Sequence, residues 1–202
     1  MSSVTLSLSI VERIVKVHEC AADRADRQPV LGGVFLQFSS PELVIAATDG
    51  RLLIEEAWPV SLAPGTSMIV AAASVGLLDG FCKSVRKQNG KKGHDPVVTL
   101  SIETDSPTRR TISACALGSV VTLSLVEEKY PSYIGALTRD SYATTTICLN
   151  SDYLSRLNKL WATKQNKGLM MAFKRGVHVS PLTLADGAIR QRGLLMPILV
   201  PV

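Results

Sequence analysis

One pattern recurs three times along this chain and limits what it can become: a strand, a helix and about three further strands, repeating roughly every 60 residues. Alternating apolar residues Val4, Leu6, Leu8 and Ile10 open the first copy as a strand. Ile14, Val17 or His18, Ala21 and Ala22 then fall at helical spacing, and polar Asp23–Gln28 closes the helix. Pro29–Phe38, Leu43–Ala47 and Arg51–Trp58 read as strands, with Thr48-Asp49-Gly50 as a tight turn. The second copy begins with a strand at Ser67–Ala72 and a helix capped by Ser74 that runs to about Lys87. Strands follow at Pro96–Glu103, Arg109–Leu117 and Val120–Leu125. The third has a strand at Thr144–Leu149, a helix capped by Asn150 or Ser151, and strands at Leu169–Lys174, Val177–Leu184 and Leu194–Val200. Units of this size cannot bury an apolar face alone, so they are expected to share a core.

Composition narrows the function class. Apolar residues make up 46% of the 202 residues and charged ones 19%, which suits a folded chain. No apolar run is long enough to span a bilayer, and Glu12 and Arg13 interrupt any signal-peptide core, so the expectation is an intracellular protein. Cys20, Cys82, Cys115 and Cys148 lie far apart, which argues against a metal site; no cofactor is expected. The Glu55-Glu56 and Glu127-Glu128 pairs are adjacent on strands, so their side chains diverge and do not make a catalytic pair. With no nucleophile, phosphate-loop or metalloprotease motif present, an enzyme is not expected. The net charge of +5 permits a polyanionic partner.

Particular residues say more. Gln28-Pro-Val-Leu-Gly-Gly-Val34, followed by Ala47-Thr-Asp-Gly50, resembles the middle domain of the bacterial DNA polymerase III beta subunit, the sliding clamp. Glu128-Lys-Tyr-Pro-Ser-Tyr133 is similar to the linker between that family's middle and last domains. Cys148–Leu157 through Leu195-Met-Pro-Ile-Leu199 is similar to the closing half of the last domain. The resemblance implies an α+β clamp fold of repeated strand-helix-three-strand units, antiparallel sheets outside and helices lining a hole. It implies a complete domain at 1–137 and a half-domain at 138–202 that pairs with a neighbouring chain. Family rings close with twelve such units, so three units per chain imply a homotetramer, with a dimer as the alternative. The compact size suits a phage or mobile element, acting in the nucleoid or infected-cell cytoplasm.

The implied function is a non-enzymatic processivity factor that encircles double-stranded DNA without reading sequence and tethers a DNA polymerase, with a clamp loader as a further partner. The alternative is a clamp-derived module that binds clamp-partner peptides without encircling DNA. Helix-borne cations would meet phosphates: Arg13, Lys16 and Arg24 on the first, Lys83, Arg86 and Lys87 on the second, Arg156, Lys159 and Lys164 on the third. Carried over by motif, Leu31, Thr48, Leu53, Met196, Pro197 and Ile198 would line a pocket for partner peptides. Arg51-Leu52 departs from the family's basic pair, and Leu199-Val200 from its final Arg-Leu.

Overall fold

The computed structural model describes residues 2–19, 28–60, 65–90, 94–106, 109–133, 151–161, 169–173, 177–181 and 190–195. Its described strands form one antiparallel sheet of eleven, in the order β1-β6-β7-β8-β5-β2-β3-β4-β11-β10-β9. The first unit contains β1 (Ser2–Ser7), α1 (Leu8–His18), a single turn α2 (Pro29–Gly32), β2 (Val34–Ser39), β3 (Glu42–Thr48) and β4 (Leu52–Pro59). The second contains β5 (Thr66–Val70), α3 (Ala72–Asn89), β6 (Val97–Ser106), β7 (Arg109–Ala116) and β8 (Ser119–Val126). Of the third, α4 (Ser151–Trp161), β9 (Leu169–Phe173), β10 (Val177–Pro181) and β11 (Arg190–Leu195) are described.

Units one and two exchange their first strands. β1 joins β6 of the second unit, and β5 joins β2 of the first. Neither half could close its sheet without the other, so the two make one core. That core lies under the helices: Leu8, Val11, Ile14 and Val17 of α1 and Val75, Leu78, Phe81 and Val85 of α3 pack on Leu36, Ile45, Leu100 and Ile112. The spacing of three and four puts each apolar stripe on one helix face.

Several boundaries differ from the sequence expectation, each for a local reason. The first helix begins at Leu8 rather than beyond Ile10. Leu8 and Ile10 suit strand alternation, but the first-turn N–H groups find acceptors: Leu8 donates to Pro96 O (2.7 Å), Ser9 to Asp95 Oδ2 (3.0 Å) and Ile10 to Ser7 Oγ (3.4 Å). Pro29–Gly32 is a helical turn, not the start of a strand, with proline in its first turn where the missing N–H costs nothing. α3 starts at Ala72, so Ser74 lies inside it, and its Oγ accepts from Ser124 N (2.8 Å) on β8 instead of capping. β11 begins at Arg190, earlier than Leu194. The strand expected at Thr144–Leu149 lies outside the described residues.

The third unit attaches through β11, which pairs with β4 over six residues from Leu195↔Leu52 to Arg190↔Ala57. Its helix joins the same core through Leu157, Leu160 and Trp161. Arg13 on α1 donates to Leu160 O of α4 (3.1 Å), and Arg86 on α3 pairs with Glu12 of α1 (2.8 Å). These contacts set α3, α1 and α4 side by side as a helical layer.

Candidate functional site

On the opposite face of the sheet from that layer, strand parity leaves Phe35 and Ile69 outside the main core. The segment after β8 returns across them. Tyr130, 8% exposed, stacks on Phe35 with ring centroids 4.7 Å apart, and Tyr133 meets both rings edge-on at 6.5 and 6.0 Å. The aromatic triad pins residues 128–133 as a strap. Burial pushes the Tyr130 phenol well above its ordinary range, so it stays neutral.

Beneath one side of the strap is a cavity of about 680 Å³. Its walls are α2 and its approach (Gln28, Pro29, Val30, Leu31), the turn and start of β4 (Thr48, Gly50, Arg51, Leu52, Leu53), and the strap (Glu128, Lys129, Pro131, Ser132, Tyr133). The volume is within the usual range for a ligand site. Leu53 is 5% exposed and packs on Tyr133.

The turn that shapes this wall is held by side chains. Thr48 Oγ1 donates to Leu52 O (2.8 Å) and accepts from Gly50 N (3.0 Å). Asp49 Oδ1 accepts from Arg51 N (2.8 Å) and Leu52 N (2.7 Å), and Gly50 takes a φ of 83° that favours glycine. Asp49 Oδ2 accepts from the Tyr153 hydroxyl on α4 (3.1 Å), tying the third unit to the wall. Desolvation and then the Asp49 charge raise the Tyr153 pKa.

The structure thus brings Leu31, Thr48 and Leu53 together, while Met196, Pro197 and Ile198 lie outside the described residues. The backbone register nevertheless sets Leu195, the last described residue of β11, opposite Leu52 in the cavity wall. Sequence reasoning missed Pro29, Arg51, Pro131 and Tyr133 as lining groups. The Pro131-Ser132-Tyr133 motif was visible, but nothing local says that a linker folds back over a sheet.

The helix-borne cations divide. Lys16, Lys83, Lys87 and Lys159 are exposed, with Lys83 paired to Asp79 four residues earlier. Arg156 sits 5.6 Å from the Tyr153 ring. Arg13, by contrast, is turned inward: its guanidinium binds both oxygens of fully buried Glu56, which also accepts from Trp58 Nε1 (3.1 Å) and Trp161 Nε1 (3.0 Å). Arg86 is held by Glu12, Asp95 (2.8 Å) and Ser9 Oγ (3.0 Å). Its hydrogen bonds to Glu12 raise its pKa further. Burial would raise the Asp95 carboxyl, but the bonds from Ser9 and the charge of Arg86 outweigh it and hold it below the ordinary range. Arg24 and Lys164 lie outside the described residues.

No protein-family model matches the sequence, and no curated protein sequence does. Solved structures do. The DNA polymerase III beta subunit of Thermotoga maritima superposes with a TM-score of 0.75 at 14% identity, over 98% of this chain and 66% of that one. A sliding clamp of Bacillus subtilis gives 0.63 at 12% identity, covering 99% and 65%. The Pseudomonas aeruginosa clamp bound to griselimycin gives 0.63 at 15% identity, again covering 99% and 65%. The chain therefore spans just under two thirds of the length of these proteins. The chain has the fold of the DNA polymerase III beta-subunit sliding clamps.

Proposed function

We propose that this chain is a sliding clamp: a non-enzymatic processivity factor that encircles duplex DNA as a homo-oligomeric ring and tethers a DNA polymerase through an apolar peptide pocket. The observation that carries the reading is the coincidence of the clamp fold with a cavity of about 680 Å³ built from the Thr48–Leu53 turn and the strap. Leu31, Thr48 and Leu53 would receive the apolar side chains of the peptide, with Met196, Pro197 and Ile198 closing the wall. The griselimycin complex of the Pseudomonas clamp supports a ligand site in this fold. Residues 1–137 act as the complete domain, and 138–202 as a half-domain whose missing half comes from another chain, which favours a tetramer over a dimer. The ring works in the cytoplasm, with a clamp loader as a further partner.

DNA contact would rest on exposed Lys16, Lys83, Lys87 and Lys159, since few mobile cations allow weak, sequence-blind sliding. The test is retention on nicked circular DNA against the same DNA linearised. A ring stays on the circle and runs off the ends; equal retention on both forms would sink the encircling model.

A second reading has its own support. With Arg13 buried against Glu56, and Arg86, though partly exposed, engaged by Glu12 and Asp95, the helical layer offers fewer free cations than the sequence suggests. A clamp-derived module that binds partner peptides without encircling DNA would need no more. It predicts peptide binding with retention on neither DNA form.

A further inference from the structure

β4 and β8 are the last strands of the first and second units, and each has eight residues. Along β4, the first six, Leu52–Ala57, pair with β11. Along β8, the last two, Leu125 and Val126, pair with β5, and the first six, Ser119–Ser124, have no strand on that side among the described residues. The occupied segment of one edge and the strand-free segment of the other therefore begin at the same position in their strands, and only Ser124, at the far end of the second, is already bonded on that side, to Ser74 and Ala71.

Strand parity identifies the groups left open. Ser124 points its N–H at Ser74 Oγ (2.8 Å) and its carbonyl at Ala71 N (3.0 Å), away from β7. Alternate residues share that direction, so Val120 and Thr122 present both N–H and C=O outward. Open edges are normally blunted by charge, proline or a bulge. This one carries none: the whole stretch from Thr111 to Val126 has no charged residue and no proline. Val120 is 65% exposed and Leu117 55%. Leu117 also takes a φ of 49° in the turn entering β8, a left-handed conformation costly for a branched residue and usual for Asn, Asp or Gly.

We infer that the β8 edge pairs antiparallel with β8 of a second copy of this chain, about a two-fold axis at Val121. In that register Val120 faces Thr122 of the second copy as a hydrogen-bonded pair, and the two Val121 side chains meet as a close, non-hydrogen-bonded pair. An uncharged edge is its own electrostatic complement. Its flanks complement too: Gln88 donates to Ser119 Oγ (2.8 Å), so exposed Lys87 lies near the start of β8, while exposed Glu128 follows its end, next to Glu127, which Arg110 engages (3.1 Å). Antiparallel pairing sets the acidic end of one strand against the basic end of the other. The joint continues the sheet outward on the second unit as β4–β11 does on the first, and it stands independently of DNA binding.

Light scattering and sedimentation of the full chain test it, with three variants. Val120→Lys adds a charge at an exposed edge position, and Thr122→Pro removes one outward N–H that an edge strand can spare. Both are expected to halve the assembly mass. Val97→Lys, at an exposed valine of β6 (60%), should leave it unchanged. If Thr122→Pro fails to fold, Val120→Lys alone decides. Val121→Cys should form a disulfide to its own counterpart, identified by non-reducing peptide mapping, since close cross-strand pairs lie within disulfide reach. A monomeric wild type, an unchanged mass in Val120→Lys, or a Val121→Cys link to another strand would overturn the inference. Failure on circular DNA with the mass intact would instead sink the clamp reading and leave this joint standing.

Discussion

Glu56 shows how one side chain can decide what a neighbour is free to do. Its carboxylate is fully buried and accepts from Arg13, Trp58 and Trp161, so α1 and α4 both converge on this point of β4. Removing one partner of such a pair leaves a buried charge without compensation. Glu56→Ala is expected to cost about 3–5 kcal/mol in urea unfolding, and Glu56→Leu with Arg13→Met to recover most of it. A loss below about 1 kcal/mol in the single variant would contradict the role. Gly33 poses a different restriction: a Cβ there would lie 2.6 Å from Ile69 Cγ2 and 2.8 Å from Val70 O. Because one of these atoms is backbone, relief requires β5 to shift. Gly33→Ala should therefore destabilise by about 1–3 kcal/mol, measured by the same unfolding midpoint.

Among elements, the junction of α1 with α2 carries a pH response. His18 Nε2 lies 3.0 Å from Gly32 O, and burial lowers the ring's pKa despite that bond and the nearby Glu19 charge. The unfolded chain then takes up a proton at higher pH than the folded one. This contribution is present above the unfolded value of about 6.5 and is lost as pH falls below it. Thermal unfolding followed from pH 7.5 to 5 should show the loss in the wild type, and His18→Gln should flatten that part of the profile. The elements themselves were largely legible. Apolar spacing located α1, α3 and α4, and β-branched runs located β6 to β8, because each signal depends on neighbours a few residues away. What stayed hidden depends on distant partners. Nothing near Leu8 announces that Asp95 and Pro96 will accept its helix's first N–H groups, nothing near Ser74 announces Ser124, and Arg13 reads as a surface cation until Glu56 is seen beneath it. The cavity was half legible for the same reason: Leu31, Thr48 and Leu53 belong to a local motif, whereas Tyr133 arrives over the top of the sheet.

At the scale of the whole molecule, the exchanged first strands make units one and two inseparable, while the third is attached by one ladder, by α4 and by the Tyr153–Asp49 bond. If the cavity takes a peptide, substitution in its wall should affect partner binding and leave DNA retention alone. Leu53→Lys is expected to weaken binding of an apolar clamp-partner peptide at least tenfold by fluorescence anisotropy, with the circular-DNA result unchanged. Loss of both together would point to a general collapse of the β4 wall instead.

The β4–β11 ladder joins Leu52 to Leu195, positions 195 − 52 = 143 residues apart. A chain emerging from the ribosome makes its β4 edge well before the strand that covers it. Contacts this distant form late because the loop between them must first be closed. Throughout that interval the nascent chain presents an unpaired edge. Newly made subunits are thus expected to need either fast completion or a chaperone's cover, and chains stopped before Arg190 should aggregate rather than accumulate as soluble fragments.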